Sequence, residues 1–479
     1  MDRIVIVGGG ISGLATAFRL GLAAEASGRA VHLTVLESGD VPGGKMRSSR
    51  EEGFVIEWGP NGFLDSRPNA VALVNDLGAA PLLLRADETA SKRFVCRGGR
   101  LVRLPETPPA FLKSRLLSRA GKLRLMREPW IPAGTLPDEA IGDLAARRLG
   151  PEARDYLVDP MISGVFAGDP SRLSAAAALP RLVKMERAHG SFIRGAIAMQ
   201  GGPRKLAGKM LARLFGRGSG GSINAGPSGM LTSFKGGVAT LVQAMAARVG
   251  PGLRLSMPVT SLRRTATGWL VSAGTGEARQ HFPADALVLS CPSDEAARLL
   301  QDSSRRMASE LAAIGCASIT VVATAFARQD LPPGAVDGFG FLVPDIEHRP
   351  ILGTLWDSTV FPDRAPDGQV LLRTMVGGAR HADLAVTPDD ALVPMVLAQL
   401  SDLMGISAVP TMVRVVRWPR GIPQYDVGHL DRMARIDGFR RQLPGLFLCH
   451  NAYRGISLDD CCREAAETAG AVMSSLTLS

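Results

Sequence analysis

The sequence predicts an α/β protein with a doubly wound nucleotide-binding domain, a mixed α+β domain and a helical insertion. Three observations predict this fold class. Strand and helix patterns alternate around a glycine-rich turn at the N-terminus, residues 104–214 carry apolar residues at helical spacing, and the last forty residues repeat a strand, a turn and a helix. A chain of 479 residues is too long for one core, so two or three domains are expected.

The N-terminal unit is a strand, a turn, a helix and a second strand. An apolar strand over residues 3–7 leads into the turn 8–13 (GGGISG), and an Ala/Leu-rich helix follows over 14–24. The second strand, residues 31–36, ends at Glu37. This order is the right-handed βαβ start of a Rossmann-like sheet.

Each part of this unit has a physical role in binding a dinucleotide. Gly8 allows the tight turn, Gly10 lets a pyrophosphate approach the backbone, and Gly13 lets the helix pack close to the sheet. Glu37 follows Gly13 by 24 residues and is placed to accept hydrogen bonds from the adenosine ribose. The combination predicts a dinucleotide site, with the phosphates at the helix N-terminus.

Further along the chain, a glycine- and serine-rich stretch precedes a return of strand patterns. Residues 215–229 predict a flexible linker. The strand patterns then cover residues 253–256, 268–273, 286–290, 319–326, 340–343, 370–376 and 446–449. A terminal helix over about 460–476 mirrors the N-terminal arrangement, so we expect the chain to return and complete its first domain.

Composition and charge exclude several classes of protein. The chain is 46% hydrophobic and 21% charged, and its net charge of +10 suits an anionic substrate or lipid; without a nucleic-acid-binding motif, we expect no nucleic-acid partner. Glycines interrupt the apolar N-terminal run, and no stretch reaches the roughly 18 apolar residues of a membrane span. We expect a cytoplasmic protein that can lie on the inner face of the cell membrane.

The cysteines do not predict a metal site. None belongs to a C-x-x-C pair, and no His-rich segment lies near them. We expect reduced, mostly buried thiols and no bound metal. The six cysteines are Cys96, Cys291, Cys316, Cys449, Cys461 and Cys462.

The sequence after Glu37 distinguishes FAD from NAD. Residues 38–48 (SGDVPGGKMRS) resemble the Gly-Gly-Arg segment of flavin amine-oxidase-like proteins, with Lys45 where Arg is usual. Residues 57–62 (EWGPNG) resemble the family's E-x-G-P segment, which passes the flavin ring. These two segments imply that the dinucleotide is FAD.

Later segments narrow the resemblance to the oxygen-dependent, FAD-containing protoporphyrinogen oxidases of the flavin amine oxidase superfamily. They occur in the same order and span nearly the whole chain. They are residues 162–170 (ISGVFAGDP), 182–186 (LVKME), 233–237 (SFKGG), 338–344 (GFGFLVP), 352–358 (LGTLWDS), 421–425 (GIPQY) and 451–461 (NAYRGISLDDC).

The resemblance implies FAD contacts wherever this chain matches the family's motifs. Val259 is included because it ends a strand pattern, where a backbone amide can hold the adenine edge. The implied contacts are Gly8, Gly9, Gly10, Ile11, Ser12, Gly13, Glu37, Ser38, Lys45, Gly59, Pro60, Asn61, Gly62, Val259, Asn451, Ile456, Ser457 and Leu458.

Three positions depart from the family's pattern. His450 and Ser457 stand where relatives usually have Gly, close to the flavin, and their larger side chains could crowd the cofactor or shift the backbone. Asn61 stands where mammalian-type enzymes have Arg, so the propionate contact of that branch is not carried over.

The implied reaction removes six electrons from protoporphyrinogen IX to give protoporphyrin IX in heme biosynthesis. The flavin takes two electrons per cycle, and oxygen is the expected acceptor, giving hydrogen peroxide, with a respiratory acceptor as the alternative. Such chemistry needs orientation more than a strong base, so we assign no catalytic acid or base. A homodimer is left open.

The substrate is flat and apolar and carries two propionates, so its pocket should combine aliphatic and aromatic side chains with a few basic anchors. Arg97 matches a propionate anchor of plant-type relatives, although an isolated Arg is more often a solvated surface residue. The family's ring contacts map to Phe339, Leu342, Leu355 and Met375, which would otherwise be ordinary sheet core.

Residues 110–127 combine six basic residues with interleaved leucines and contain no acidic residue. They predict either a solvated helical face or a helix that lies on anionic lipid, the role of the family's helical insertion. The basic residues are Lys113, Arg115, Arg119, Lys122, Arg124 and Arg127.

Domain boundaries and rival functions complete the expectation. We expect an FAD-binding domain from 1–64, 225–302 and 435–479, a substrate-binding domain from 65–92 and 303–434, and a helical domain over 93–214. Coproporphyrinogen III oxidase (coproporphyrin-forming) is the nearer alternative function. Another flavin amine-oxidase-like enzyme, such as a carotenoid desaturase, and a flavin-binding protein without activity are the more distant ones.

Overall fold

The computed structural model describes residues 1–199 and 229–477. The strands are β1 (Asp2–Val7), β2 (Val31–Leu36), β3 (Ser48–Glu51), β4 (Phe54–Glu57), β5 (Phe63–Leu64), β6 (Leu83–Arg85), β7 (Arg93–Arg97), β8 (Arg100–Arg103), β9 (Leu231–Phe234), β10 (Leu253–Arg254), β11 (Val259–Arg264), β12 (Trp269–Ala273), β13 (Gln280–Ala284), β14 (Ala286–Leu289), β15 (Cys316–Ala327), β16 (Gly340–Leu342), β17 (Gly353–Leu355), β18 (Gln369–Gly377), β19 (Met412–Pro423) and β20 (Leu446–Leu448).

The α-helices alternate with these strands. They are α1 (Ile11–Ser27), α2 (Pro68–Asp76), α3 (Pro108–Lys113), α4 (Arg119–Met126), α5 (Ile141–Leu149), α6 (Pro151–Ala153), α7 (Asp159–Phe166), α8 (Ala175–Ala178), α9 (Pro180–His189), α10 (Phe192–Met199), α11 (Ala239–Val249), α12 (Ser293–Leu300), α13 (Arg305–Ala312), α14 (Asp357–Val360), α15 (Asp389–Met404), α16 (His429–Arg440) and α17 (Leu458–Thr477). The linker predicted over 215–229 lies outside the described residues except for Gly229.

A five-stranded parallel sheet forms the first structural layer. Its strand order is β10-β2-β1-β14-β20, and its strands come from three distant parts of the chain. The predicted return of the C-terminus is confirmed, because β20 pairs with β14 and α17 packs along α1. The α/β fold class predicted from the sequence is therefore correct.

Both faces of the parallel sheet are covered, as its apolar strands require. Helices α1, α2, α11 and α17 bury one face around Ile4, Ile6 and Val288. Helices α12, α13 and α16 and the three-stranded sheet β11-β12-β13 bury the other face around Val5, Val7 and Leu287. The helices and the small sheet cover the two faces of the parallel sheet, and the glycine-rich turn follows the carboxyl end of β1.

A seven-stranded sheet forms the second layer, in the order β19-β15-β18-β17-β16-β7-β8. It is antiparallel except where β16 runs parallel to β7, and α15 packs against one of its faces. Strands β7 and β8, which lie within the segment 93–214 expected to be helical, belong to this sheet. The helices begin only at Pro108.

The helical segment is held together by buried charges as well as by apolar packing. Arg148 and Glu128 form a fully buried ion pair. Glu128 also accepts hydrogen bonds from Ser191 Oγ at 2.5 Å and from the backbone N–H of Phe192 at 2.9 Å, so one carboxylate ties the start of α10 to the rest of the segment. Within residues 1–199 and 229–477, no helix has the length and apolar character needed to cross a bilayer.

Candidate functional site

The glycine-rich turn has the geometry that its sequence requires. Gly8 has φ of +107°, and a Cβ there would come within 2.8 Å of the carbonyl oxygen of Ser290. A Cβ on Gly13 would stand 2.0 Å from the carbonyl oxygen of Gly8, so the helix could not approach the turn so closely with any other residue. By contrast, a Cβ at Gly10 would meet no atom closer than 3.9 Å, so the space beside Gly10 is open to a ligand.

The second glycine pair continues the same surface. Gly43 N donates to the carbonyl oxygen of Gly9 at 2.8 Å, and residues 10 and 43 form a parallel bridge. Gly43 and Gly44 both have positive φ, which glycine adopts without strain. The two glycine segments therefore lie side by side, and Lys45 follows directly from the second.

Glu37 lies at the end of β2 with its carboxylate turned toward the turn. Oε2 accepts a hydrogen bond from Gly9 N at 2.7 Å, and Oε1 accepts one from Gly39 N at 2.8 Å. Ser38 Oγ lies 3.3 Å from Oε1. A carboxylate has about four acceptor positions, so one remains for a hydroxyl of a ribose beside the three donors already present.

Unsatisfied polar groups around these loops fit a dinucleotide. Helix α1 begins after Gly10 without a side-chain cap, which leaves its first N–H groups free for an anion. The buried atoms Asn61 Oδ1, Ser290 Oγ and Asn451 Oδ1 have no hydrogen-bond partner among the described residues. Open space, free donors and an acceptor carboxylate suit the phosphates and ribose of FAD.

The 57–62 segment is fixed by residues that motif analysis missed. Arg373 of β18 donates hydrogen bonds of 3.0 Å to the carbonyl oxygens of Glu57 and Gly59 and forms a buried ion pair with Asp357. Asp357 in turn accepts a hydrogen bond from Asn61 Nδ2 at 3.3 Å. Only three-dimensional proximity connects Arg373 with this segment, so no local signal could have found it.

A second buried group, centred on the first residue of the E-x-G-P segment, holds the base of this loop. The buried carboxylate of Glu57 accepts hydrogen bonds from Ser48 Oγ at 2.6 Å, Val238 N at 3.0 Å and Arg364 Nη2 at 3.1 Å. Burial raises the pKa of Glu57, although Arg364 and Ser48 act to lower it. Glu57 thereby joins β4 to the start of α11 and holds the adjoining Trp58–Gly59 backbone in place.

The C-terminal segment brings Asn451 and residues 456–458 to the start of α17. Tyr425 Oη donates to the carbonyl oxygen of Asn451 at 2.6 Å and accepts from Gly455 N at 2.8 Å. Ile456 packs against the helical segment, and Leu458 packs against the core beneath the parallel sheet.

The two unusual residues of this segment differ in their surroundings. The exposed Ser457 side chain donates to Asp460 at 2.5 Å and accepts from Asp460 N at 3.1 Å, which is an N-terminal cap of α17. Burial lowers the pKa of His450 to about 3, with a further contribution from the charge of Lys45. Ser457 thus caps the helix, and His450 is close enough to Lys45 to feel its charge.

Val259, another predicted cofactor residue, begins β11. It is buried, and its carbonyl oxygen accepts a hydrogen bond from Arg298 Nη2 at 2.8 Å. The neighbouring backbone connects to the Glu37 segment, since Met257 N donates to the carbonyl oxygen of Glu37 at 2.8 Å. The structure therefore brings Val259 and Glu37 to the same end of the site.

Three predicted substrate contacts share one face of the seven-stranded sheet. Leu342 pairs with Gly353, which pairs with Met375, and Leu355 lies two residues beyond Gly353. Cross-strand partners and alternate residues point to the same side of a sheet. All three side chains are half-buried, whereas Phe341 on the opposite face is 2% exposed. Leu342, Leu355 and Met375 therefore line open space rather than the sheet core.

Helix α7 forms the other wall of this space. A Cβ on Gly164 would come within 2.7 Å of Leu342 Cδ2, so the helix backbone lies directly against that side chain. Met161 and Val165 lie three residues before and one after Gly164 on the same helix face, and they are 39% and 53% exposed. We call the space between this helix face and the sheet the apolar cleft.

Two arginines near the apolar cleft differ in their pairing. Arg97 forms an ion pair with Glu152 at 2.7 Å and donates to the carbonyl oxygen of Leu116, so its charge is already balanced. Arg93 lies over the ring of Phe339 at 5.2 Å and has no ion-pair partner in the described part of the chain. Arg93 was missed, although it stands four residues before Arg97 on the same strand.

Comparison with known proteins agrees with this geometry. The model of the flavin-containing amine oxidoreductase family matches residues 11–473. The chain belongs to this family. It is an FAD-dependent oxidoreductase, as the glycine turns and Glu37 predict.

Individual relatives are similar to this flavoenzyme over nearly its whole length. The mitochondrial protoporphyrinogen oxidase of Nicotiana tabacum is 30% identical and covers 99% of this chain and 95% of its own. The coproporphyrinogen III oxidase of Bacillus subtilis (strain 168) is 29% identical and covers 96% and 95%. A crystal structure from Exiguobacterium sp. 255-15, provisionally named protoporphyrinogen oxidase, has a TM-score of 0.81 and 26% identity over 99% of both chains.

Proposed function

We propose that this flavoenzyme oxidises protoporphyrinogen IX to protoporphyrin IX. The observation that carries the proposal is the apolar cleft, whose half-buried side chains adjoin the loop 57–62 through Arg373. Bound FAD would supply a two-electron acceptor for hydride, and three such cycles complete the aromatic macrocycle. The chain's own side chains would bind and orient a flat apolar substrate, because this chemistry needs orientation more than a strong base.

Sequence similarity supports the same substrate class. Relatives of full length include both protoporphyrinogen and coproporphyrinogen oxidases at about the same identity. The structure adds a reason to favour the first. Of the arginines near the cleft, Arg97 is paired with Glu152 and Arg380 with Asp159 and Asp169, which leaves Arg93 unpaired. A site with few unpaired cations suits protoporphyrinogen IX, which has two propionates, better than coproporphyrinogen III, which has four.

Residue roles follow from this geometry as part of the proposal. The two glycine segments, Glu37 and the C-terminal segment would hold FAD. Phe339, Leu342, Leu355 and Met375 would contact the macrocycle. We propose Arg93, rather than Arg97, as the cation that meets a propionate, since only its charge is free.

The domain division is proposed on the same basis, with one change. The parallel sheet and its helices would form the FAD-binding domain, and the seven-stranded sheet, now including β7 and β8, would form the substrate-binding domain. The helical domain would begin at α3.

We also propose that the start of the helical domain docks on an anionic membrane. Residues 110–127 hold most of α3 and all of α4, which are separated at residues 114–118. Exposed apolar side chains cluster here, including Leu112 and Trp130, which are 58% and 74% exposed. Lys113, Arg115 and Arg119 are exposed beside them without a partner in the described residues.

The decisive experiment compares the two porphyrinogens on the purified, FAD-loaded protein. Porphyrin fluorescence would follow product formation under air, and oxygen uptake with hydrogen peroxide release would identify the acceptor. We expect a higher kcat/KM for protoporphyrinogen IX than for coproporphyrinogen III. A higher kcat/KM for coproporphyrinogen III would mean that the protein is a coproporphyrinogen III oxidase instead. Oxidation of neither by a protein that holds FAD would reject porphyrinogen chemistry.

A further inference from the structure

His450 lies at the edge of the parallel sheet that carries the glycine-rich turn. Cys449 N still donates to the carbonyl oxygen of Leu289 at 3.0 Å, so residue 450 is the first beyond the carboxyl end of the parallel sheet. Cys449 Sγ lies 3.4 Å from Thr16 Oγ1 in α1. Residue 450 therefore follows a strand end that packs against the N-terminal half of α1.

One hydrogen bond fixes the protonation state of this imidazole. Ala452 N donates to His450 Nδ1 at 3.2 Å. A backbone N–H cannot accept, so Nδ1 carries a lone pair and the proton of the neutral ring is on Nε2. Protonation of Nδ1 would break this bond, which agrees with the low pKa of about 3 that burial and Lys45 give His450. Nε2–H has no partner in the described chain and is free to donate.

Lys45 brings a charge to the same place. Burial lowers the pKa of Lys45, and no carboxylate forms an ion pair with it in residues 1–199 and 229–477. The other titratable groups facing this pair are the thiols of Cys316 and Cys461, which act on Lys45, and Tyr453, whose ring lies 6.1 Å from that of His450. Lys45 is half-buried and its ammonium has no counter-ion among the described residues, so an anionic ligand would balance its charge.

We propose that His450 and Lys45 together bind the diphosphate of FAD, with Nε2–H of His450 as hydrogen-bond donor and the Lys45 ammonium as counter-charge. Lys45 follows the glycine segment bridged to Gly10, where the free N–H groups of α1 also favour phosphate. His450 replaces a usual glycine in the family, so this donor is an addition of this chain. The proposal requires bound FAD but not the porphyrinogen assignment.

The test measures binding by full-length protein freed of flavin, with three ligands. FAD and ADP contain the diphosphate, whereas riboflavin contains only the ring system. H450A should weaken the binding of FAD and of ADP by about tenfold or more, as expected for the loss of a hydrogen bond to a charged group. The affinity for riboflavin should stay unchanged. K45M should weaken the same two ligands, with a loss that shrinks as salt rises.

Matched variants separate this contact from a general effect on folding. H450Q keeps a side-chain N–H donor and should recover FAD and ADP binding to within about threefold of wild type, a loss under 1 kcal/mol. H281A removes an exposed imidazole on β13, and all three affinities should stay unchanged. Circular dichroism of each flavin-free variant identifies any that fail to fold, and H450Q then carries the comparison.

Three results would overturn the proposal. H450G would restore the family's residue, and FAD binding as tight as wild type would mean that His450 is merely tolerated. Weaker riboflavin binding with unchanged ADP binding would place the imidazole against the ring instead. A fall in wild-type affinity as pH rises through about 6.5, absent in H450Q, would mean that the ligand contact is an imidazolium and not the neutral donor.

Discussion

Arg373 donates a hydrogen bond of 3.0 Å to the carbonyl oxygen of Gly59, which joins the centre of the seven-stranded sheet to the loop 57–62. Two residues later on the same strand and the same face, Met375 lines the apolar cleft. One strand thus fixes the loop that resembles a flavin contact and presents a proposed substrate contact. The separation between the proposed cofactor contact and the proposed substrate contact is therefore set by regular secondary structure.

The first prediction concerns this arginine. R373M removes one partner of the buried pair with Asp357 and frees the carbonyl oxygens of Glu57 and Gly59. An uncompensated buried charge typically costs about 3–5 kcal/mol, so the free energy of unfolding should fall by that order. Urea unfolding measures the loss, and FAD content should decrease with it.

An exposed pair supplies the control for this variant. Arg417 pairs with Asp389 at 2.5 Å on the exposed end of α15, where water screens the charges. R417M should change the free energy of unfolding by about 1 kcal/mol or less. Equal losses in R373M and R417M would mean that Arg373 does not organise the loop.

The second prediction concerns Glu37. E37A removes the acceptor for Gly9 N and Gly39 N, and E37Q turns an amide NH₂ toward one of these two donors. Both variants should therefore bind FAD at least about tenfold more weakly than wild type, and the affinity of E37Q should be nearly as low as that of E37A. Fluorescence titration of FAD measures the affinity, with E25Q on the exposed end of α1 as control. Wild-type affinity in E37Q would exclude a role for the carboxylate charge.

Local signals in the sequence predicted the parts of the site that depend on local geometry. The strained conformation of Gly8 and the close packing at Gly13 exclude other side chains, so a motif of three glycines was sufficient to find them. The strand-like apolar runs in residues 340–343 and 370–376 likewise predicted the strands that line the cleft. Such features depend on neighbouring residues, which a single sequence displays.

Long-range pairing explains what the sequence could not reveal. Arg373 and Glu57 are separated by 316 residues, and neither belongs to a motif that names the other. Strand β7 was assigned to the helical domain because its partner β16 follows some 240 residues later. The charge of Arg97 looked available for the same reason, since Glu152 comes to it only through folding.

The third prediction contrasts the two faces of β18. M375A and L342A truncate half-buried side chains of the cleft, so they should raise KM or lower kcat for the porphyrinogen and leave FAD content unchanged. V376A removes methyl groups from a fully buried position on the opposite face and should instead cost about 1–3 kcal/mol of stability with less effect on KM. Loss of FAD from M375A would mean that Met375 stabilises the fold and does not serve mainly as a substrate contact.

The fourth prediction uses the pKa of His450. The unfolded chain protonates this imidazole near 6.5 and the folded, flavin-free chain only near about 3, so the unfolded state binds more protons between these values. The stability that neutral His450 contributes is therefore present above pH 6.5 and is lost as pH falls. The buried His429 shifts in the same direction, so the measurement is the difference in unfolding free energy between wild type and H450A. That difference should grow between about pH 5 and 7 and stay level above. A flat difference would mean that His450 is solvated.

The last prediction concerns the membrane. Lys122 donates to the carbonyl oxygens of Leu112 and Ser114, and Arg124 donates to those of Arg147 and Arg148, so reversing these charges would damage the fold. Reversing Lys113, Arg115 and Arg119 to Glu changes only exposed side chains, and it should reduce binding to anionic liposomes because each basic residue near the lipid contributes about 1 kcal/mol. The loss should shrink as salt is raised, since exposed charges are screened within about 8–10 Å at physiological ionic strength. A matched variant with R279E, R305E and R306E has the same net charge on another surface and should bind liposomes like wild type. Equal loss in both triple variants would mean that net charge, and not this surface, governs binding.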